Sequence, residues 1–335
     1  MGHARRRAAL EARPAVPAVT LPDTCCAPSA DGNAVLSTVP TLRRRGGRRP
    51  AVRPAARLVQ IPAGSYLAGA EDADARADDG EGPVRNLSVD AFRIAPHAVT
   101  NVQFATFVKA TGYVTQAERQ GWSFVVVPFL TRRQAAAHVA QVVAETPWWG
   151  QMPGAAWRTP LGPGSGIGDL SDHPVVHVSH DDALAYCDWA ALRLPTENEW
   201  EYAARGGLVG QRYPWGNDSL RRGRHRCNIW QGPFPAHNTA EDGWLATAPV
   251  RAYEPNGYGL FNMVGNVWEW SADWWSPRAF DPDRPADSRS GARVIRGGSF
   301  LCHDSYCNRY RVSARSSNTP DSTTANMGFR CAADV

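Results

Sequence analysis

The stretch RVIRGGSFLCHDSYCNRYRVSARSSNTPDSTTANMGFRCAAD, residues 293–334, decides how the whole chain is read. It places Cys302 and Cys307 five residues apart in a run rich in arginine and tyrosine. On a helix, five steps of about 100° put two side chains about 140° apart. On a strand, an odd spacing sends them to opposite faces. Regular structure therefore separates the two sulfurs, and only a bend through His303-Asp304-Ser305-Tyr306 brings them together. Zinc fits poorly, because a structural site draws its ligands from two closely spaced pairs and no second pair lies nearby. A C-x-x-C redox motif is absent. Two thiolates with no further ligand suit a soft, low-coordinate ion, for which Cu(I) is the natural candidate. Arg309 and Arg311 favour the thiolate forms if they point inward. A surface disulfide, or two unrelated thiols, fits the spacing equally well.

Working outward, the 335 residues suffice for one large or two moderate domains with a substantial core. Glycine (30), proline (26) and tryptophan (13) are abundant, which favours turn-rich structure held by aromatics over long helices. The net charge of +4 is unevenly placed. Residues 1–57 carry eleven arginines, no lysine and three acids (Glu11, Asp23, Asp31), leaving 25 basic and 29 acidic residues elsewhere. The folded body is thus mildly acidic and offers no nucleic-acid footprint. No apolar run is long enough to span a membrane. Arg5-Arg6-Arg7 precedes no apolar segment, so a cleaved signal peptide is not expected. These features lead to the expectation of a cytoplasmic monomer with mostly reduced thiols.

Residues 1–57 read as a disordered Ala/Pro/Arg-rich basic extension carrying Cys25 and Cys26. Order is expected from Leu58. LVQIPAGSYLAG (58–69) alternates around Pro62-Ala63-Gly64, as a strand pair would. Three helices have clear start signals: Thr100 with Gln103, Ser179 before HDDALAYCDWAAL (180–192), and Thr196 with Glu199. Gly112 and Gly206-Gly207 stop the first and third. Beyond Gly206 the chain is loop-rich, so turns, side chains or ions must satisfy much of its backbone. A single α+β domain over residues 58–335 is the simplest account.

Residues 293–334 resemble the C-terminal signature of the formylglycine-generating enzymes, the sulfatase-modifying factors. The likeness continues upstream in PNGYGLFNMVGNVWEWSADWW, CNIWQGPFPAHNTAEDGW, RLPTENEWEYAARGG and DHPVVHVS, and spans about residues 58–334. It implies a compact α+β domain with little regular secondary structure, related to the C-type-lectin-like group. It also implies an enzyme that oxidises the cysteine of a C-x-P-x-R sequence in a sulfatase, or in the unfolded peptide, to Cα-formylglycine with O₂ and a thiol reductant. By resemblance, Cys302 and Cys307 are the copper-binding pair. Ser299 and Trp268 flank the oxygen site, and Tyr306 walls the pocket. Arg311 and Asn326 occupy pocket positions, and Asp79 and Glu81 hold the substrate arginine, as a carboxylate pair suits a guanidinium. Two structural Ca²⁺ sites are implied. One uses Asn228, Ile229, Asp242 and Trp244; the other uses Asn262, Gly265, Val267 and Glu269, with backbone carbonyls among the ligands. Cys187 and Cys331 match one disulfide of relatives from oxidising compartments, and whether they pair here is open. Ala204 and Val312 replace the other disulfide. Cys227 is expected to be a buried free thiol.

Other readings are a non-catalytic sulfatase- or carbohydrate-binding relative, an iron oxidase of the same fold, and a thiol–disulfide exchanger. Retention of both cysteines argues against the first. The absence of an H-x-x-x-E motif on a helix argues against the second. Metal dependence separates the third.

Overall fold

The structure, a computed structural model, describes residues 28–29, 57–278 and 291–335. Most of the basic extension, including Cys25 and Cys26, lies outside the described residues.

The order of elements is β1 (Val59–Ile61), β2 (Gly64–Ala68), β3 (Arg85–Val89), β4 (Phe92–Ile94), α1 (Asn101–Thr111), α2 (Gln116–Gln120), β5 (Trp122–Val126), α3 (Arg132–His138), β6 (Gln141–Val142), β7 (Trp149–Pro153), α4 (His180–Ala190), α5 (Glu197–Arg205), β8 (Trp268–Trp274), β9 (Arg293–Arg296), β10 (Arg315–Asn318), β11 (Met327–Phe329) and β12 (Ala332–Asp334). The strands form small sheets ordered β1-β4-β12, β10-β9-β8-β11, β2-β3 and β5-β7-β6. β4 pairs antiparallel with both β1 and β12, which ties the two ends of the body together. The α+β class expected from the sequence is thus the class observed.

Helix starts follow the predicted chemistry. Thr100, Ser179 and Thr196 each accept from the amide three residues on, and the side chain at that position returns a bond to the cap backbone. Two further boxes, Thr115 with Glu118 and Thr131 with Gln134, open the short helices α2 and α3. Between Gly206 and Val267 the chain forms turns and loops, as expected.

Helices α1 and α4 pack through aromatics. Phe104 stacks on Tyr186 at 6.0 Å and meets Trp157 edge-on at 5.2 Å. Helix α5 is different, because it turns two glutamates inward. Glu197 and Glu201, one helical turn apart, receive Arg296 of β9 at 2.9 and 2.8 Å. Glu197 also holds Arg315 of β10, and Glu201 holds Arg205. All five side chains are buried. Burial pushes the Glu197 carboxyl up, but Arg315 and Arg296 outweigh it and hold the group below its ordinary range. Burial opposes ionisation of Glu201 in the same way, and Arg296 and Arg205 again win. This lattice fixes β9 and β10, and β9 leads directly into the cysteine segment.

Candidate active site

β9 ends at Arg296, and Gly297-Gly298 then turn the chain with φ of 93° and 71°. Both positions need glycine twice over. The backbone is left-handed, and a Cβ at Gly297 would lie 3.0 Å from Met263 O, or at Gly298 2.9 Å from Arg309 O. The turn delivers Ser299, whose amide donates to Cys302 Sγ at 3.3 Å. The bend through residues 303–306, without which the two sulfurs could not meet, is present: the amides of Tyr306 and Cys307 both donate to His303 O, at 3.1 and 2.8 Å.

The bend brings Cys302 Sγ to 3.3 Å from Cys307 Sγ. A disulfide would need about 2.05 Å, so the two thiols are adjacent and not bonded to each other. They are 0% and 1% exposed, so neither sulfur faces bulk solvent in this conformation. Arg309 Nη1 lies 4.0 Å from Cys307 Sγ, and Asp79 grips the same guanidinium at 2.7 and 3.2 Å. The donor set is two soft sulfurs, whose thiolate forms the Ser299 amide and the Arg309 guanidinium favour, and it fits a soft univalent ion.

Ser299 Oγ accepts from Asn326 Nδ2 at 2.9 Å and from the Leu301 amide at 3.3 Å. Asn326 is oriented in turn by Thr324 Oγ1, which donates to its Oδ1 at 2.7 Å. Asn326 O receives the amide of Trp268, the first residue of β8. Trp268 is fully buried in the same apolar cluster as both cysteines. Ser299, Asn326, Cys302 and Cys307 therefore converge, with Trp268 attached through the backbone. Tyr306 turns to an aromatic group beside them, stacking on Phe234 at 4.7 Å and meeting Trp148 edge-on at 4.9 Å.

The acid pair is placed differently from the expectation. Glu81 is fully buried and bidentate with Arg311, at 2.6 and 2.8 Å. Asp79 binds Arg309. Each carboxylate already has a guanidinium of its own chain. Arg311 is equally committed, donating to both Glu81 oxygens through Nη1 and Nη2 and to Asn308 through Nε. Gly80 between the acids has φ of 69°, and a Cβ there would sit 1.9 Å from Pro277 O. The loop is therefore a packed structural piece and not a solvated acidic patch.

The two sets of expected calcium ligands differ in quality. In the first, Asn228 Oδ1 is buried and has no hydrogen-bond partner. Gln231 Nε2 donates both to Ile229 O and to Asp242 Oδ2, so those two acceptors converge on one point. Asp242 Oδ1 accepts from the Trp244 amide at 3.0 Å. Asp242 Oδ2 also accepts from the Ile229 amide at 3.0 Å. All three donors to Asp242 are neutral, and with the orphaned Asn228 carbonyl one residue before Ile229 these oxygens fit a hard cation. In the second set, Asn262 Oδ1 is also without a partner. Glu269, however, accepts from Arg330 at 2.6 and 2.7 Å and from Trp200 at 2.7 Å. Three donors fill most of its roughly four acceptor positions, and one of them is cationic. The second set fits a divalent ion poorly. Among the described residues, no three His, Cys, Asp or Glu side chains cluster as a metal site.

Cys187 Sγ and Cys331 Sγ are 3.7 Å apart and buried. The hydrogen bond it shares with Cys187, then burial, raises the Cys331 thiol well above its ordinary value. Cys227 is a buried free thiol, as expected, and burial pushes it up. Ala204 and Val312 are fully buried.

The sequence reading did not single out Thr324 or the grip of Asp79 on Arg309. The cluster STTAN (322–326) was the available signal for the first. The second joins residues 230 positions apart and leaves no local trace.

This fold has a known counterpart. PvdO from Pseudomonas aeruginosa superposes with a TM-score of 0.60 over 83% of this chain and 94% of that one, at 24% identity, a likeness of fold alone. A family model described as Sulfatase-modifying factor enzyme 1-like domain matches residues 47–335. The formylglycine-generating enzyme of Thermomonospora curvata is 60% identical over 291 residues, covering 83% of this chain and 93% of that protein. A mouse protein named inactive C-alpha-formylglycine-generating enzyme 2 is 46% identical over 284 residues, covering 83% of this chain and 86% of that one. The chain belongs to the sulfatase-modifying factor family, that of the formylglycine-generating enzymes.

Proposed function

We propose that this chain is an active formylglycine-generating oxidase. It converts the cysteine of a C-x-P-x-R sequence in a sulfatase to Cα-formylglycine and so activates the sulfatase. The observation that carries this reading is the adjacency of Cys302 and Cys307, buried at 3.3 Å. The overall change balances as R–CH₂SH + O₂ + 2 R′SH → R–CHO + H₂S + R′SSR′ + H₂O. The substrate gives two electrons and the thiol reductant two, which together reduce O₂ fully.

Copper(I), held by Cys302 and Cys307, supplies the one-electron chemistry with O₂ that cleavage of a strong Cβ–H bond demands and that no side chain offers. The remaining work belongs to the protein. The Ser299 amide and the Arg309 guanidinium stabilise negative charge on the two sulfurs. Asp79 keeps Arg309 in place. Asn326 and the Leu301 amide occupy the lone pairs of Ser299 Oγ, which leaves the hydroxyl proton to be donated where oxygen is reduced. Trp268 keeps water out of the pocket. Calcium at Asn228, Ile229, Asp242 and Trp244 ties down the loops that flank the cysteine segment.

The non-catalytic alternative draws weight from the inactive mouse relative, but the paired thiols favour catalysis. The test is mass spectrometry of a C-x-P-x-R peptide incubated with the protein, O₂ and a thiol. Copper(I) should restore conversion after chelation. Equal conversion with and without the chelator would remove copper from the reaction, and thiol–disulfide exchange with no formylglycine formed would favour a metal-independent exchanger instead.

A further inference from the structure

His177 belongs to the run DHPVVHVS, residues 172–179. It is fully buried and has φ of 59°, a left-handed conformation that few non-glycine residues adopt. Such strain persists only where the surroundings fix it, and it gathers at functional sites. Both ring nitrogens are used. Nε2 lies 2.9 Å from Pro160 O, and Nδ1 lies 2.7 Å from Ser123 Oγ. A carbonyl only accepts, so Nε2 carries the proton and Nδ1 accepts from the Ser123 hydroxyl.

Ser123 belongs to β5, and its Oγ lies 2.8 Å from Thr323 O and 2.9 Å from Thr323 Oγ1. Gln120 Nε2 donates to the same threonine hydroxyl at 3.1 Å. The His177 amide itself donates to Thr324 O at 2.9 Å. His177 thus reaches two successive residues of one turn, Thr323 by way of its ring and Ser123, and Thr324 through its backbone. β5 grips that turn as a neighbouring strand would. The Phe124 amide donates to Thr323 O at 3.3 Å, and the Ala325 amide donates to Phe124 O at 3.0 Å.

The clamped turn carries the supports of Ser299. Thr324 Oγ1 donates to Asn326 Oδ1, Asn326 Nδ2 donates to Ser299 Oγ, and the Ser299 amide donates to Cys302 Sγ. Asn326 O also receives the Trp268 amide at 2.8 Å. Ser123, His177, Thr324, Asn326 and Ser299 are all fully buried. No water competes for these bonds, and in a close-packed interior a shift of the turn passes on to Ser299.

We infer that His177 is a positioning residue for Ser299: by clamping residues 323 and 324 against β5 it fixes the serine hydroxyl beside the paired sulfurs. Its weight in turnover rests on the function proposed above, and the clamp itself does not.

Two variants of the full chain test this. His177→Asn tolerates the left-handed backbone but is too short to reach Ser123 and Pro160 together. Ser123→Ala leaves the imidazole in place and cuts its path to Thr323. Amide hydrogen exchange, followed by mass spectrometry, reads the clamp without any turnover. Exchange at Ala325 and Trp268 should speed about tenfold or more in both variants, with the β1-β4-β12 sheet unchanged. With copper-loaded protein and a C-x-P-x-R peptide, kcat should fall about 10- to 100-fold while KM and Cu(I) affinity stay within about twofold. Wild-type exchange at both amides, or wild-type kcat, in both variants would overturn the inference. Equal acceleration in the β1-β4-β12 sheet would overturn it too, as a general loss of stability. Faster local exchange, with no formylglycine formed by the wild type, would support the clamp and sink the enzymatic reading.

Discussion

Glu81 illustrates what a single residue's surroundings add to its type. In sequence, Asp79 and Glu81 form an acidic patch, and the family resemblance assigns it to a substrate arginine. In the fold, Arg311, 230 residues away, already fills Glu81. Breaking a buried pair leaves an uncompensated charge, at a cost of about 3–5 kcal/mol. Glu81→Ala should therefore lower unfolding free energy by about that much in urea denaturation. A variant as stable as wild type would show that the pair is not a structural tie. Cys302 and Cys307 were more legible, because five-residue spacing excludes adjacency in any regular element, so that only a bend could bring the sulfurs together, and that bend is present. Ser299 needed more context: its position depends on two left-handed glycines, visible in sequence only as GG.

At the scale of elements, helix starts were readable wherever a capping residue preceded an apolar pattern. The same boxes at Thr115 and Thr131 went unread because the helices they open are short and carry little apolar periodicity. Sheet pairing was not legible. β4 finds one partner at the start of the body and another at its end, and no local pattern encodes that choice. Buried titrating groups around α4 give these elements a pH response. Burial lowers His177 from its ordinary 6.5 to about 4, and burial with Arg293 lowers His180 to about 3. As pH falls below 6.5, the unfolded chain takes up these protons and the native state does not, so stability falls. Asp182 opposes this, because burial raises it to about 6 and its native form gains a proton first. His97 and His173 add to the histidine side, and Asp181 and Asp242 to the other. The fully buried histidines leave a net uptake of one proton on unfolding. The urea midpoint should drop between pH 6.5 and 5 by the equivalent of about 1 kcal/mol per unit. A flat or rising midpoint over that window would contradict the assignment of buried neutral histidines.

At the scale of the molecule, a body with small sheets and a long irregular stretch after Gly206 needs ties beyond its core. The ionic lattice around α5 is one, and the oxygens around Asn228 suggest another. Chelating calcium with EGTA should lower the melting temperature, and Asn228→Ala should lower it without EGTA and remove most of the further response. No response in wild type would remove calcium from the account. The overall class was legible because the resemblance extends along almost the whole body, whereas the partner of each buried charge was set by pairings distant in sequence. The central claim is that Cys302 and Cys307 act together on a foreign cysteine. Its most direct measurement is formylglycine formation in a C-x-P-x-R peptide, followed by mass spectrometry with Cu(I), O₂ and thiol present, for wild type, Cys302→Ser and Cys307→Ser. Conversion by wild type and loss of it in each single variant is the predicted result. Undiminished conversion by both variants would contradict it.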